Sequence, residues 1–169
     1  MTRSSDKPGQ LTFGRLDPDD PRIATEVAPL LQSLRPGLGV DAGVAFLRHA
    51  GEQGYILTAA LTGTGRVCGI AGYRVLTTSR GVISFVDDLV VAPDARGTGI
   101  GGALLQYLEQ QARIAGCERI ELDTSVQNLD AQRFYQGQHF TATAHHFTKE
   151  VSAQEGEGWH LSALMRRRV

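Results

Sequence analysis

The chain has 169 residues, and its 17 basic and 18 acidic side chains give a formal net charge of −1. This length suits one ordinary domain with a sizeable core, and the balanced charge argues against nucleic acid as the main partner. The first ten residues lack the apolar core of a signal peptide, and no stretch approaches the roughly 20 apolar residues of a membrane span. These features favour a cytoplasmic protein with no membrane partner.

The hydrophobic periodicity of the chain alternates between strand and helix patterns. In chain order we predict a strand at 11–16, helices at 21–34 and 41–53, strands at 55–61, 67–76 and 84–91, a helix at 101–115, a strand at 119–124, a helix at 129–136, and strands at 140–144 and 147–151. This order, βααβββαβαββ, is typical of an α/β domain with a mixed sheet. We expect a flexible lead at 1–9, one domain at 10–151 and a tail at 152–169.

Cysteine and histidine are sparse and do not form a recognisable chemical site. Cys68 and Cys117 lack the spacing of a disulfide framework or a zinc site, and we interpret both as small buried hydrophobes. His145 and His146 alternate across a predicted strand, so they do not readily share one ion. The sequence therefore predicts no metal.

The most informative stretch, 85–105, joins a strand to a helix through a glycine-rich turn. Glycines at this position let the backbone turn tightly and expose its N–H groups, and the helix N-terminus contributes roughly half a positive charge. Arg96 can add a charged contact. A phosphate or pyrophosphate is therefore the expected ligand of this turn.

Two kinds of protein use such a turn. Gly97, Gly99 and Gly102 fit the dinucleotide pattern G-x-G-x-x-G, with Glu121 or Asp123 about 20 residues further on. In that fold, however, the first glycine directly follows the strand and several βαβ units of roughly 30 residues come next. Here five residues, APDAR, intervene, and only about seventy residues remain. A dinucleotide-binding oxidoreductase is therefore the less favoured alternative.

The second kind is an acyl-coenzyme A site. Arg96, Gly99 and Gly101 match the pattern Q/R-x-x-G-x-G/A, preceded by the lead-in DLVVAP. A second block, NLDAQRFYQGQHF at 128–140, matches N-x-x-A-x-x-F-Y-x-x-x-G-F except that His139 replaces the glycine, and Gly137 is the alternative source of that turn. In these two blocks the chain resembles the GNAT N-acetyltransferase superfamily, and weaker similarity covers 11–151.

This resemblance implies a GNAT-like fold with a central splayed mixed sheet flanked by helices. It also implies transfer of an acetyl group from acetyl-CoA to a primary amine of a small molecule or peptide, by direct attack in a ternary complex. A non-catalytic acyl-CoA sensor is the alternative, and a homodimer is compatible with either function. The cofactor-binding residues implied by the resemblance are Leu89, Val90, Val91, Arg96, Gly97, Thr98, Gly99, Ile100, Gly101, Gly102, Asn128 and Tyr135.

The same chemistry needs a base, because an amine with a reference pKa near 10.4 is protonated at neutral pH. By resemblance Asp87 is the candidate base and Asp88 a substrate contact, and at regular strand positions at most one of them faces the substrate. Tyr135 matches the general acid of the family, which protonates the departing thiolate. Backbone N–H groups near Leu89 to Val91 match the oxyanion donors of the family. The structural alternatives are a carboxylate that only hydrogen-bonds the sheet and a core tyrosine.

The acceptor is less well defined. Arg35, Tyr73 and Arg74 are the predicted substrate contacts. An arginine there favours an acceptor that carries a carboxylate or phosphate, although Arg35 near a helix C-terminus can also serve only to offset the helix dipole. No signature of a protein, drug or polyamine substrate stands out.

Overall fold

A computed structural model describes residues 11–151 of the chain. They fall into two compact units, residues 11–122 and 123–151. The predicted lead at 1–9 and the predicted tail at 152–169 lie outside the described residues. Within residues 11–151, no helix is long and apolar enough to cross a membrane.

The first unit is built on a five-stranded sheet in the order β1-β2-β3-β4-β5. Antiparallel pairing joins β1 to β2, β2 to β3 and β3 to β4, whereas β5 runs parallel to β4, which makes the sheet mixed. The strands are β1 at Thr12–Arg15, β2 at Ile56–Leu61, β3 at Val67–Thr78, β4 at Gly81–Val91 and β5 at Arg119–Leu122.

Helices cover both faces of this sheet. A π-helical turn at Ile23–Val27 leads into α1 at Ala28–Leu34, and α2 follows at Val40–Glu52. These helices contact β2 and β4 from one side. On the other side lies α3, Ile100–Ile114, which packs so closely that a Cβ on Gly69 of β3 would lie 3.1 Å from the side chains of Ile100 and Leu104.

The core therefore has two layers, one on each face of the sheet. Its side chains are apolar and bury area that stabilises the fold by roughly 25 cal/mol per Å². Among the most buried of them are Val27, Leu31, Ile70, Leu104 and Leu108. Because α3 buries every third or fourth residue, its pattern was predictable from helical periodicity alone. Thr58, Ser84 and Asp88 are the buried polar residues of the described chain, and among them the Ser84 hydroxyl is buried without a hydrogen-bond partner in residues 11–151.

The second unit contains one helix, α4 at Leu129–Gly137, within residues 123–151. The strands predicted at 140–144 and 147–151 are wrong for the described chain: no strand forms there, and residues 141–151 are exposed. Alternating apolar residues favour an extended backbone, but a strand also needs a partner for its N–H and C=O groups. The rest of the predicted order and the α/β class with a mixed sheet are confirmed.

Candidate active site

The acidic pair of β4 lies at a β-bulge. Tyr73 pairs with Val86, and the next residue of β3, Gly72, pairs with Asp88, so Asp87 is the extra residue. Side chains normally alternate across a strand, but one extra residue shifts this alternation. Val86 and Asp88 consequently lie on opposite faces of the sheet, and Asp88 lies on the face of Gly72.

Asp88 is buried, with 7% of its surface exposed, and two side chains bind its carboxylate. The Tyr55 hydroxyl donates a hydrogen bond to Oδ2 at 3.0 Å, and the Arg35 guanidinium lies 3.4 Å from Oδ1. Gly72 makes the tyrosine contact sterically possible, because a Cβ there would lie 1.6 Å from the Tyr55 hydroxyl oxygen. Residues of β3 and β4, the residue before β2 and the residue after α1 thus meet at one carboxylate.

The surroundings of Asp88 change its titration. Burial raises the pKa of the carboxyl above its usual 3.8, although the hydrogen bond from Tyr55 and the charge of Arg35 act in the opposite direction. Burial also raises the pKa of Tyr55, and the nearby Asp88 raises it further. Tyr55 therefore stays protonated and remains a hydrogen-bond donor, whereas Asp88 can take up a proton more readily than an exposed aspartate.

Asp87 has a different environment from its neighbour. The Arg74 guanidinium binds it with two hydrogen bonds, from Nε at 2.9 Å and from Nη2 at 2.5 Å. The Arg35 guanidinium lies 3.5 Å from the Asp87 backbone carbonyl. Such a bidentate pair fixes the carboxylate in place. Asp87 is thus held by an arginine, whereas Asp88 is the more deeply buried of the two.

The glycine turn has the geometry of an anion site. A 3-10 turn at Pro93–Ala95 follows β4, and the backbone then takes positive φ angles at Gly97 (75°) and Gly99 (87°) before α3 begins. A Cβ at either glycine would meet no atom within 4 Å, so the backbone itself is accessible. Positive φ is the conformation that glycine adopts at least cost.

The amides at the start of α3 are available as donors. No side chain caps this helix, and its first backbone bond runs from the Ala103 N–H to the Gly99 carbonyl at 3.0 Å. Thr98 directs its hydroxyl to the Ala95 carbonyl at 2.6 Å, and Arg96 donates to the Val91 carbonyl at 3.3 Å. These contacts stabilise the turn and leave the first amides of α3 free to bind an anion.

Beyond the bulge, β4 presents backbone N–H donors along the edge that faces away from β3. The Ala92 N–H donates to the Cys68 carbonyl of β3, so by antiparallel alternation the Val90 N–H also faces β3. The amides of Leu89 and Val91 face the opposite edge. Along that edge β5 pairs only with Ile83–Val86, and no other strand described in residues 11–122 follows it. These two amides therefore have no strand partner within residues 11–122.

In the second unit, Asn128 and Tyr135 take defined positions on α4. The Asn128 side chain caps the helix by accepting the Ala131 N–H at 3.1 Å. The ring of Tyr135 packs against Phe134 and Phe140 at centroid distances of 5.2 and 5.8 Å. Burial raises the pKa of the Tyr135 phenol, so it carries its proton at neutral pH.

His139 provides the left-handed residue that ends α4. Its φ is +66°, whereas Gly137 is the last helical residue and has no positive φ, so the alternative that Gly137 supplies the turn is wrong. The His139 N–H donates to the Gln136 carbonyl and the Phe140 N–H to the Tyr135 carbonyl, both at 3.0 Å. Together with the Tyr135–Phe140 ring contact, this is a Schellman motif with histidine in the usual glycine position.

The structure brings together only part of the predicted substrate set. Arg35 and Arg74 both reach the acidic pair, but Tyr73 lies on the other face of the sheet and is buried. The sequence reasoning missed Tyr55 and Gly72. A glycine inside a strand signals a close approach, and Gly72 in β3 carries that signal. Nothing in the sequence pairs it with a tyrosine seventeen positions earlier.

The candidate site thus combines a strand with a buried carboxylate and unpaired amides, followed by a glycine turn whose amides are suited to an anion. Residues 25–140 match the Acetyltransferase (GNAT) family. Since this match covers well over half of the chain, the protein belongs to the GNAT acetyltransferase family.

Individual relatives agree with this assignment. The chain is 42% identical over 69 residues to an aminoalkylphosphonate N-acetyltransferase of Salmonella typhimurium, covering 41% of this chain and 45% of the relative. It is 32% identical over 130 residues to the uncharacterized N-acetyltransferase YhdJ of Bacillus subtilis, covering 75% and 90%. The chain thus spans about half the length of the first relative and most of the second.

A solved structure supports the fold independently of these sequence matches. An aminoglycoside N-acetyltransferase in complex with CoA superposes with a TM-score of 0.71 at 19% identity, covering 85% of this chain and 96% of that chain. At this level of identity the likeness concerns the fold alone. The mixed sheet flanked by helices is therefore the fold of a GNAT protein.

Replacing Asp88 by asparagine should change how the stability of the protein depends on pH. The folded state binds the Asp88 proton more tightly than the unfolded state. The contribution of this group to the free energy of unfolding is therefore fully present below about pH 3.8, and it is lost as the pH rises through the raised pKa of the folded state. Relative to wild type, Asp88→Asn should therefore gain stability as pH rises through that window, by about 1.4 kcal/mol per unit of pKa elevation. Urea unfolding at several pH values measures the difference. Asp19→Asn, at an exposed aspartate, should show no such trend.

Replacing His139 by glycine should stabilise the second unit. A left-handed conformation costs an L-residue about 1–2 kcal/mol, and the entropy of an added glycine offsets about 0.5–1 kcal/mol of the gain. Chemical denaturation of His139→Gly should show a net increase of about 0.5 kcal/mol or more. Gln138→Gly is the matched control, because Gln138 has a φ of −96° and should lose stability. A loss in His139→Gly would show that the imidazole makes a compensating contact.

Proposed function

We propose that this protein transfers the acetyl group of acetyl-CoA to the primary amine of a small molecule by direct attack in a ternary complex. One observation carries the proposal: the strand that ends in the glycine turn also holds a buried carboxylate, Asp88, at its bulge. Family membership and the relatives named above support it.

The residues of the glycine turn fit the diphosphate of a coenzyme A donor. Gly97 and Gly99 leave the backbone accessible, and the uncapped start of α3 offers amides to an anion. Arg96, anchored on the Val91 carbonyl, adds a positive charge at the same turn. Acetyl-CoA supplies an acetyl group activated as a thioester.

Asp88 is the proposed base. Its raised pKa suits proton removal from an ammonium group better than the charge-paired carboxylate of Asp87 does. This assignment exchanges the two roles that the resemblance implied, with Asp87 and Arg74 positioning the substrate. The tyrosine donor to Asp88 fixes the carboxylate orientation, so that its second oxygen can accept the proton.

The remaining steps use backbone donors and a phenol. As the nitrogen bonds to the acetyl carbon, negative charge develops on the carbonyl oxygen, and the amides of Leu89 and Val91 are the proposed donors to it. The carbon–sulfur bond then breaks, the nitrogen releases its second proton to solvent, and the sulfur takes a proton from Tyr135, which regains one from solvent. Support for Tyr135 is its place in the family motif and its protonated phenol.

Arg35 points to an acceptor that carries an anionic group as well as its amine. Its side chain is 60% exposed, and its single contact with Asp88 is long, at 3.4 Å. A weakly held guanidinium can exchange this contact for a phosphonate, phosphate or carboxylate. The aminoalkylphosphonate named in the Salmonella relative is such an acceptor, and a phosphonate-bearing amine is the class we propose for this chain.

Titration calorimetry identifies the donor. Acetyl-CoA should bind to the wild-type protein, and Arg96→Ala should bind it more weakly because a charged contact with phosphate is lost, by about tenfold for 1.4 kcal/mol. NADH is the paired ligand and Arg66→Ala, an exposed arginine paired with Asp94, is the control variant. Binding of NADH instead, or of neither ligand, would contradict the transferase proposal.

Steady-state kinetics with acetyl-CoA and 2-aminoethylphosphonate test the chemistry. Asp88→Asn and Tyr135→Phe should each lower kcat by about 100-fold or more while acetyl-CoA affinity is retained. Asp87→Asn should mainly raise KM for the amine. A protein that binds acetyl-CoA but acetylates no amine in a panel with and without anionic groups is an acyl-CoA sensor.

A further inference from the structure

The face of the sheet opposite the acidic pair carries an open pocket of about 240 Å³. It lies between β1 to β3 and the C-terminal half of α3, entirely within the first unit. Its lining residues are Arg15, Ile56, Thr58, Tyr73, Val75, Tyr107, Gln111, Ile114 and Ala115. None of them belongs to the glycine turn or to the acidic pair.

The charge of this pocket comes from one residue. Arg15 is the only charged side chain that lines it, and no acidic side chain does. Within residues 11–151 the Arg15 guanidinium forms no ion pair or side-chain hydrogen bond, whereas Arg22, Arg35, Arg48 and Arg66 each contact an aspartate. An unpaired guanidinium beside an apolar surface is a ready partner for a carboxylate.

Tyr73 adds a hydroxyl donor to the same pocket. The residue as a whole is 5% exposed, but its hydroxyl is not among the buried polar atoms, and it makes no hydrogen bond to the described residues. Burial raises the pKa of Tyr73, and the groups that act on its hydroxyl include Tyr107 and Arg15, so these polar ends are close to one another. A phenolic hydroxyl that is open to the pocket can donate a hydrogen bond to an acceptor bound there.

The remaining walls suit a flat, apolar body. Ile56, Val75, Ile114 and Ala115 supply aliphatic surface, and the Tyr107 ring is held by stacking on Phe13 at a centroid distance of 5.6 Å. Pockets of this kind bind small ligands through apolar walls and a few polar groups that fix orientation. A single cation favours a single negative charge over a phosphate dianion.

We propose that this pocket is a second ligand site for a small aromatic or aliphatic monocarboxylate, which binds through Arg15 and the Tyr73 hydroxyl. The site is independent of the amine site, because Tyr73 and Gly72 project to opposite faces of β3. Bound carboxylate therefore contacts neither Asp87 nor Asp88, and it does not compete with acetyl-CoA.

Benzoate is the probe, followed by ligand-observed NMR and calorimetry. Benzamide, which has the same ring without the charge, should bind at least about tenfold more weakly, as expected for loss of a charged hydrogen bond. Arg15→Gln should weaken benzoate binding about tenfold or more, and Tyr73→Phe about threefold or more, with the ring retained. Arg48→Gln, an exposed arginine on α2, should leave it unchanged.

Several results would overturn the proposal. These are equal affinity for benzamide, unchanged benzoate affinity in Arg15→Gln, absence of detectable benzoate binding, or displacement of benzoate by saturating acetyl-CoA, which would place benzoate in the donor site. Thermal unfolding of each variant confirms that a loss of binding is not a loss of fold. Because the experiment measures only benzoate binding, its result does not depend on whether the protein acetylates an amine.

Discussion

The extra residue in β4 is the constraint on which the acidic pair depends. With regular alternation Asp88 would lie on the face of Val86 and Tyr73, against α3. The bulge turns it to the face of Gly72, where Tyr55 and Arg35 bind it. One inserted position thus places the acidic pair on the face covered by α1 and α2. On the opposite face, the one charged side chain that lines the pocket in the described part of the chain is an arginine.

Burial of Asp88 lowers the stability of the fold and raises the pKa of its carboxyl group. An ionised carboxylate away from water is unfavourable unless it is paired, and here the pairing is a neutral hydroxyl and a largely exposed guanidinium. Asp87 shows the alternative, a bidentate arginine contact. Two neighbouring residues of the same type therefore have different partners, and burial raises the pKa of Asp88, a pattern common at functional sites.

Local sequence patterns predicted most helices, the five strands of the sheet and the glycine turn before α3, because periodicity and glycine placement are local signals. The bulge and the Tyr55 contact were not predictable, since both depend on the register of strands that are far apart in the chain. The last two strands were predicted wrongly for a related reason: residues 140–151 have strand propensity but lack a pairing partner in the described chain. His139 is the opposite case. The family motif has glycine at this position, which indicates a positive φ, although a histidine by itself gives no such signal.

The close approach of Tyr55 to Gly72 also constrains how this sequence can change over time. Any side chain at position 72 would occupy the space of the phenol ring, with its Cβ 1.6 Å from the hydroxyl oxygen. Position 72 can therefore accept a side chain only if position 55 changes as well. A homologue with a larger residue at position 72 must have lost the ring at position 55, and with it the donor to its acidic strand residue. We expect family members in which both positions are replaced to bind their strand carboxylate in another way.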